Sequence, residues 1–371
     1  MPQGLLHYSP DLMLAERRRS SRWVGESQKS FICLLIACLS VYLILYIYLL
    51  PGNNVVVDEQ YARGVSDHLV ENRVGLHSIT VGEECSTLSK DCFRVIDKKV
   101  KLANGAELVE RHILLEGFGD DSDSVSRLIP QPGLTFENSD TRIWKVDHLT
   151  IQVQYIAALL ISPFLVSTLS LVDEDNNGKS ILEIGLGGGS LDMFFHVTNP
   201  KINITVVELD PVVVKIAQKW FDVVEDSTRR TIIADGLKFI DEEAHNEHKY
   251  NVVFLDACDS SHSVPCPSKV FRNPNTFENL HKIIKDNGVL VVNILSYEES
   301  RDEAAEIIKM LTEDFKTCIR VTLQTEINVI AICTPHSISS SPSNIDFLKR
   351  RAMAVIMHLG LHDVLKTISI T

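Results

Sequence analysis

Residues 181–190 read ILEIGLGGGS, and no other segment constrains the fold of this chain as strongly. The segment issues from a short apolar run and passes into a helical pattern. Glycine suits such a junction because the tight turn needs positive φ, and because a Cβ would hold the backbone away from a ligand. The free N–H groups of the helix that follows then face a negative ligand group. Glu183, Gly185, Gly187 and Gly189 are the candidate binding residues of this loop.

The pattern repeats downstream. Strands are predicted near 180–184, 203–208, 230–234, 251–256 and 288–295, with helical segments between them. One helix opens at Pro211, where a fixed φ and a missing N–H cost nothing. Continuous apolar strands alternating with helices specify a parallel sheet covered on both faces, an α/β doubly wound, Rossmann-like fold. A helix over 149–169 is expected to pack on this sheet. After a helix at 300–313, strands at 317–323 and 327–333 would form an antiparallel edge, and a helical tail begins near Ile345 with Lys349, Arg350 and Arg351 on its first turns.

Glu208, Asp235 with Gly236, and Asp256 close successive predicted strands. They therefore line the crevice outside the carboxyl ends of the strands, where open α/β sheets bind ligands. A carboxylate at Glu208 can accept both hydroxyls of a ribose. A glycine loop alone would equally suit NAD, so it is the register of these carboxylates that points to a nucleoside site.

Upstream, residues 92–116 alternate in short apolar runs around Asn104-Gly105, a hairpin signal. A small antiparallel β region follows from that, with residues 119–125 as an acidic surface loop and residues 51–84 as a polar stem. Residues 31–50, FICLLIACLSVYLILYIYLL, carry no charge. At ~1.5 Å per residue they span ~30 Å, the hydrocarbon thickness of a bilayer. The run is too long for the core of a cleaved signal peptide and lacks a polar face, so it reads as a single-pass anchor. Arg17, Arg18, Arg19 and Arg22 precede it, while Asp58, Glu59, Asp67 and Glu71 follow it. The positive-inside rule then keeps the N-terminus cytosolic and the large domain lumenal or extracellular.

Composition excludes some functions. A net charge of −13 opposes generic phosphate-backbone binding, so nucleic acid is not an expected partner. No C-x-x-C pair supports zinc, and His245 and His248 lie in a polar linker, so no metal is expected. Cys33 and Cys38 fall in the apolar run; Cys85, Cys92, Cys258, Cys266, Cys318 and Cys333 are an even set that an oxidising compartment could pair, Cys85 and Cys92 being near enough to bridge. The sequon Asn203-Ile204-Thr205 falls on a predicted strand and is read as coincidence.

ILEIGLGGGSLDMFF, VVELDP, ADGLKFI, YNVVFLDACDSS, Val264-Pro265-Cys266-Pro267 and GVLVVNIL together resemble the spermidine-synthase-like S-adenosylmethionine-dependent methyltransferases. Within that group the chain is similar to the C-terminal domain of the methyltransferase-like enzymes that modify the N-terminus of elongation factor 1A. The resemblance covers roughly residues 85–335. It implies that S-adenosylmethionine is the cofactor, that Gly185, Gly187 and Gly189 bend around its methionine part, and that Glu208 holds the ribose. It further implies that Asp235 and Gly236 contact the adenine, and that Asp256, with Asp259 as a second candidate, faces the sulfonium and the acceptor as catalytic groups. A carboxylate there can orient an amine or take its proton. True aminopropyltransferases carry an aspartate where this chain has Gly188, and a Tyr and a Glu where it has Gln152 and Gln154. Neutral residues at all three positions favour methyl transfer over polyamine synthesis, with a binding module lacking turnover as the third alternative. Related enzymes pair through the sheet domain, so a homodimer is expected, and the acceptor is expected to be a protein amine. The expected layout is a tail (1–30), an anchor (31–50), a stem (51–84), a small β region (85–148), an S-adenosylmethionine-binding domain (149–340) and a helical tail (341–371).

Overall fold

The computed structural model describes residues 77–102, 105–116, 122–259 and 263–371. The expected anchor lies outside these residues, as does Asn104 of the hairpin signal. Among the described residues no helix is long and apolar enough to cross a membrane.

Five antiparallel strands come first, in sequential order: β1 (Ser78–Cys85), β2 (Cys92–Lys101), β3 (Glu107–Leu115), β4 (Ser122–Ile129) and β5 (Lys145–Asp147). Two of them correct the sequence expectation. β1 lies in the segment read as a stem, and β4 in the segment read as an acidic loop. Neither carries a continuous apolar run; each is ordered by its partner, with Ser78–Cys85 paired along β2 and Cys85 bonded to Cys92.

Then follow α1 (Gln154–Leu165), β6 (Ser180–Ile184), α2 (Ser190–Thr198), β7 (Asn203–Glu208), α3 (Pro211–Trp220), β8 (Arg229–Ile233), α4 (Gly236–His245), β9 (Tyr250–Leu255), α5 (Pro274–Lys282), β10 (Ile284–Leu295), α6 (Arg301–Asp314), β11 (Thr317–Leu323), β12 (Asn328–Thr334), α7 (Pro342–His358) and β13 (Ile368–Ile370). The second sheet has eight strands in the order β13-β11-β12-β10-β9-β6-β7-β8. Strands β10 to β8 in that order run parallel, whereas β12, β11 and β13 are antiparallel. The sheet is therefore mixed, and β13 extends the predicted edge by one strand.

Side chains on successive strand positions feed two separate cores, because β periodicity is two. Ile181, Val252 and Val291 join α1, α2, α3 and α7 on one face. Leu182, Val253 and Leu290 join α4, α5 and α6 on the other. Burial on both faces explains why these strands read as unbroken apolar runs.

The first helix is shorter than the 149–169 expected from its apolar content. It starts at Gln154 because the carboxylate of Glu326, from the β11–β12 turn, accepts the N–H groups of Gln154 and Tyr155 at 2.7 and 2.8 Å. No local sequence signal announces a cap supplied from so far away in the chain. The tail helix α7 packs on α1, and Arg351 donates to the Phe164 carbonyl at 2.7 Å.

Candidate functional site

The glycine loop leaves β6 with φ of +100° at Gly185, +53° at Gly187 and +74° at Gly189. An L residue at 185 would be strained by that φ, and its Cβ would sit 2.5 Å from the Asp256 carbonyl oxygen. Glycine here lets two strand ends approach each other, which brings the loop beside Asp256. The loop is held from two sides. Glu208 accepts the Leu186 N–H at 3.0 Å and the Asp210 N–H at 2.8 Å. From the first sheet, Ser124 accepts the Gly188 N–H at 2.8 Å, and Ser126 and Ser190 hydroxyls lie 3.3 Å apart. β4 thus forms one wall of the loop.

Three carboxylates converge under and beside it. Glu183 faces α2 and is buried, and its Oε2 has no hydrogen-bond partner. Burial pushes its carboxyl well above the ordinary range; Asp192, Asp256 and Glu208 add to the effect and Arg229 opposes it. Burial also raises Glu208, against the backbone N–H groups that favour its charged form. Asp256, half-buried at the end of β9, is pushed up to about 7 by burial, against a hydrogen bond from Asn293 that pulls the other way. Asn293 Nδ2 donates to Asp256 Oδ1 at 2.7 Å, and Asn328 Nδ2 donates to Asn293 Oδ1 at 2.9 Å. Two amides on neighbouring strands therefore fix one Asp256 oxygen.

The remaining candidates take structural partners. Asp235 is exposed and caps α4, accepting the Leu237 N–H at 3.0 Å and the Lys238 N–H at 3.4 Å. Gly236 admits Ile184, whose Cγ2 would lie 2.8 Å from a Cβ at that position. Asp259 accepts the Ser268 hydroxyl at 2.9 Å and the Lys269 N–H at 2.7 Å, which organises the loop after β9. Gln154 is engaged at the other end of α1, donating to the Val364 carbonyl and accepting from Thr325. Gln152 donates to the nearby Thr150 carbonyl at 3.5 Å. His245 and His248 lie on the surface against Asp241 and Glu243, and no metal-binding group of His, Cys, Asp or Glu occurs among the described residues.

Sequence reasoning missed Ser124, Asp192, Arg229, Asn293 and Asn328. Two of these carried a signal: Asp192 is the one acid in the apolar helix start SLDMFF, and Asn293 interrupts GVLVVNIL. A polar side chain inside such a run needs a buried partner. The chemistry available is a Cβ-free backbone cradle, a buried carboxylate with spare acceptor capacity for a cationic group, and a second carboxylate that titrates near neutrality.

Residues 166–339 match the spermine/spermidine synthase domain family. The eEF1A lysine and N-terminal methyltransferase of Xenopus laevis is 35% identical over 161 residues, 43% of this chain and 23% of that protein. A polyamine aminopropyltransferase of Sulfolobus acidocaldarius is 34% identical over 163 residues, 42% of this chain and 50% of that protein. The crystal structure of human methyltransferase-like protein 13 in complex with SAH superposes with a TM-score of 0.50 at 25% identity, covering 56% of this chain and 93% of that one. The chain thus spans about a quarter of the length of the first of these relatives. Over residues 166–339 the chain is similar to spermine/spermidine synthase domains, with eEF1A methyltransferases among its relatives in sequence and human methyltransferase-like protein 13 among its relatives in fold.

Proposed function

We propose that this domain transfers the methyl group of S-adenosylmethionine to an amine of a protein. The observation that carries the proposal is Asp256: a half-buried carboxyl, raised to about 7, held through one oxygen by Asn293 and packed against the glycine loop. The three positive-φ glycines and the unpartnered Oε2 of buried Glu183 suit a nucleoside that also carries a cationic group. When bound, S-adenosylmethionine supplies an electrophilic methyl group on its sulfonium. Glu208 would hold the ribose, exchanging its present backbone partners for hydroxyls.

The acceptor must present a neutral nitrogen in line with the methyl group. An α-amino group titrates near 8, so a carboxylate of pKa about 7 is matched to accept its hydrogen bond and then its proton. Asn293 and Asn328 keep one oxygen of Asp256 engaged, so the proton resides on the other. Turnover should rise with pH through about 7 as Asp256 ionises.

Polyamine synthesis is the second reading, since the domain family and one relative bear that name. Gly188 weighs against it. A Cβ there would lie 3.0 Å from Ser124 Cβ and 3.1 Å from Phe221 Cδ1, so the aspartate of the aminopropyltransferases would fit only if these side chains gave way by a few tenths of an ångström. We also place the domain on the oxidising side of the membrane. Cys85–Cys92, Cys258–Cys266 and Cys318–Cys333 are all disulfides, as an extracytosolic fold would have them. The acceptor is then an extracytosolic protein, with residues 31–50 as the anchor.

Incubation of the full chain with tritiated S-adenosylmethionine and a peptide library bearing free α-amino groups and lysines tests the proposal. Label in a peptide supports it. Tight cofactor binding by calorimetry with no label in any peptide would leave a binding module, and preference for the decarboxylated cofactor would establish polyamine synthesis instead.

A further inference from the structure

The loop after β9 starts at Asp256 and is closed by the Cys258–Cys266 disulfide. Its described residues are tied down at every turn. Asp259 N–H donates to the Pro265 carbonyl at 3.0 Å, Ser268 N–H to the Ala257 carbonyl at 2.7 Å, and Asp259 clasps Ser268 and Lys269. Cys266 forms a bridge with Leu295, whose N–H donates to the Cys266 carbonyl at 2.9 Å, and Tyr297 N–H reaches Ser263 at 3.1 Å. Arg272 donates to the Pro267 and Val264 carbonyls. The loop is sewn to the end of β10, two residues beyond Asn293.

That position separates the loop from the cofactor carboxylate. In the strand order β10-β9-β6-β7, Asp256 ends β9, the loop leans toward β10, and Glu208 ends β7 on the opposite side. At a strand spacing of about 4.8 Å, Glu208 lies about 10 Å from the β9 end. The disulfide thus joins the segment that begins two residues after Asp256 to Cys266, which pairs with Leu295 at the end of β10. Cys258 is exposed and Cys266 is buried, so the bond is anchored in the fold and open to exchange.

We propose that the Cys258–Cys266 disulfide is a positioning device for methyl transfer: it holds the chain that follows Asp256 against the end of β10 and so sets Asp256, and the domain transfers methyl groups only after this bond has formed. The inference rests on the methyltransferase reading above. Formation converts two thiols to one S–S bond, releasing two protons and passing two electrons to a disulfide oxidant, which becomes a dithiol. Reduction by a dithiol reverses the exchange. A chain made in a reducing compartment would bind cofactor yet stay idle until oxidised.

The test compares oxidised, dithiothreitol-treated and Cys258→Ser/Cys266→Ser full chains. Cofactor affinity is read by calorimetry, methyl transfer with the same tritiated cofactor and peptide library, and amide exchange at Asp259, Ser268 and Leu295 by mass spectrometry. Because a misplacement of about 1 Å can cost about a hundredfold in rate, transfer should fall by at least about tenfold in the reduced and the Ser/Ser proteins. Cofactor affinity should stay within about twofold and exchange should quicken at those three amides. Cys318→Ser/Cys333→Ser, a pair placed between β11 and β12, should leave the transfer rate and those amides unchanged. Unchanged transfer after opening of the Cys258–Cys266 bond overturns the proposal alone. Loss of cofactor binding together with transfer also overturns it, because the bond would then serve the fold. No transfer by the oxidised wild type overturns the methyltransferase reading and this inference with it.

Discussion

Two aspartate–arginine pairs are buried in this molecule, and they differ in how completely they are satisfied. In the first sheet, Arg111 Nε and Nη2 meet both Asp97 oxygens at 2.7 and 2.8 Å, while Nη1 and Nη2 donate to the Trp220 and Thr141 carbonyls. Beneath the glycine loop, Arg229 Nε and Nη2 both lie 2.7 Å from one oxygen of Asp192, whose Oδ1 is left without a partner. Burial raises Asp192 despite the pairing, and Glu183 beside it is raised further. The first pair is a closed joint between the small sheet and the end of α3. The second belongs to an electrostatic environment with acceptor capacity left over, as a cation-binding site requires. Spare capacity, rather than burial, distinguishes the two pairs.

Several changes would break or sharpen this contrast. The largest effect is expected from Arg111→Met, which leaves the buried Asp97 carboxylate without its arginine. Breaking one side of a buried pair costs about 3–5 kcal/mol, so denaturant unfolding should reveal a severely weakened protein; a loss below about 1 kcal/mol would mean that the joint is not closed. Asp256→Asn comes next. It keeps the shape and removes the proposed base, so transfer should fall by about a hundredfold or more while calorimetry shows cofactor affinity little changed. Transfer that no longer rises with pH through about 7 in that variant would identify Asp256 as the titrating group. Glu208→Gln should weaken cofactor binding by about tenfold through lost charge-assisted hydrogen bonds, with no change in the pH profile.

The smallest effect is on stability at Glu183. Its folded-state pKa is raised, so the folded protein holds the proton to higher pH than the unfolded chain does. The contribution of this group therefore declines as pH climbs from the ordinary glutamate range upward. Glu183→Gln should match the wild type at pH 4 and unfold a few degrees higher at pH 8, a gain of about 1 kcal/mol, at the expense of cofactor affinity. Equal melting temperatures at both pH values would show that Glu183 is not under electrostatic strain.

Much of the parallel sheet could be read directly because both of its faces are buried. Five apolar runs announced β6 to β10, and the glycine spacing announced the loop, since only glycine tolerates the φ of Gly185 together with its approach to Asp256. The first sheet was read only in part. β2 and β3 alternate visibly, but residues 119–125 read as an acidic loop, and their latter part becomes the start of a strand, β4, only when paired with β3. That omission mattered, because β4 supplies Ser124 to the glycine loop.

What the sequence determined by itself was local: periodicity, glycine φ, the acidic residues at strand ends, and therefore an α/β domain with a glycine loop and acids gathered at the ends of its strands. What only the tertiary structure decided was which of those acids remain available. Asp235 caps α4 and Asp259 clasps its loop, whereas Asp256 keeps one oxygen free because Asn293 and Asn328 hold the other. Type and spacing fix where a carboxylate sits along the chain. Its proton affinity and its spare hydrogen-bonding capacity depend on the strands and loops that enclose it, and those arrive from distant parts of the sequence.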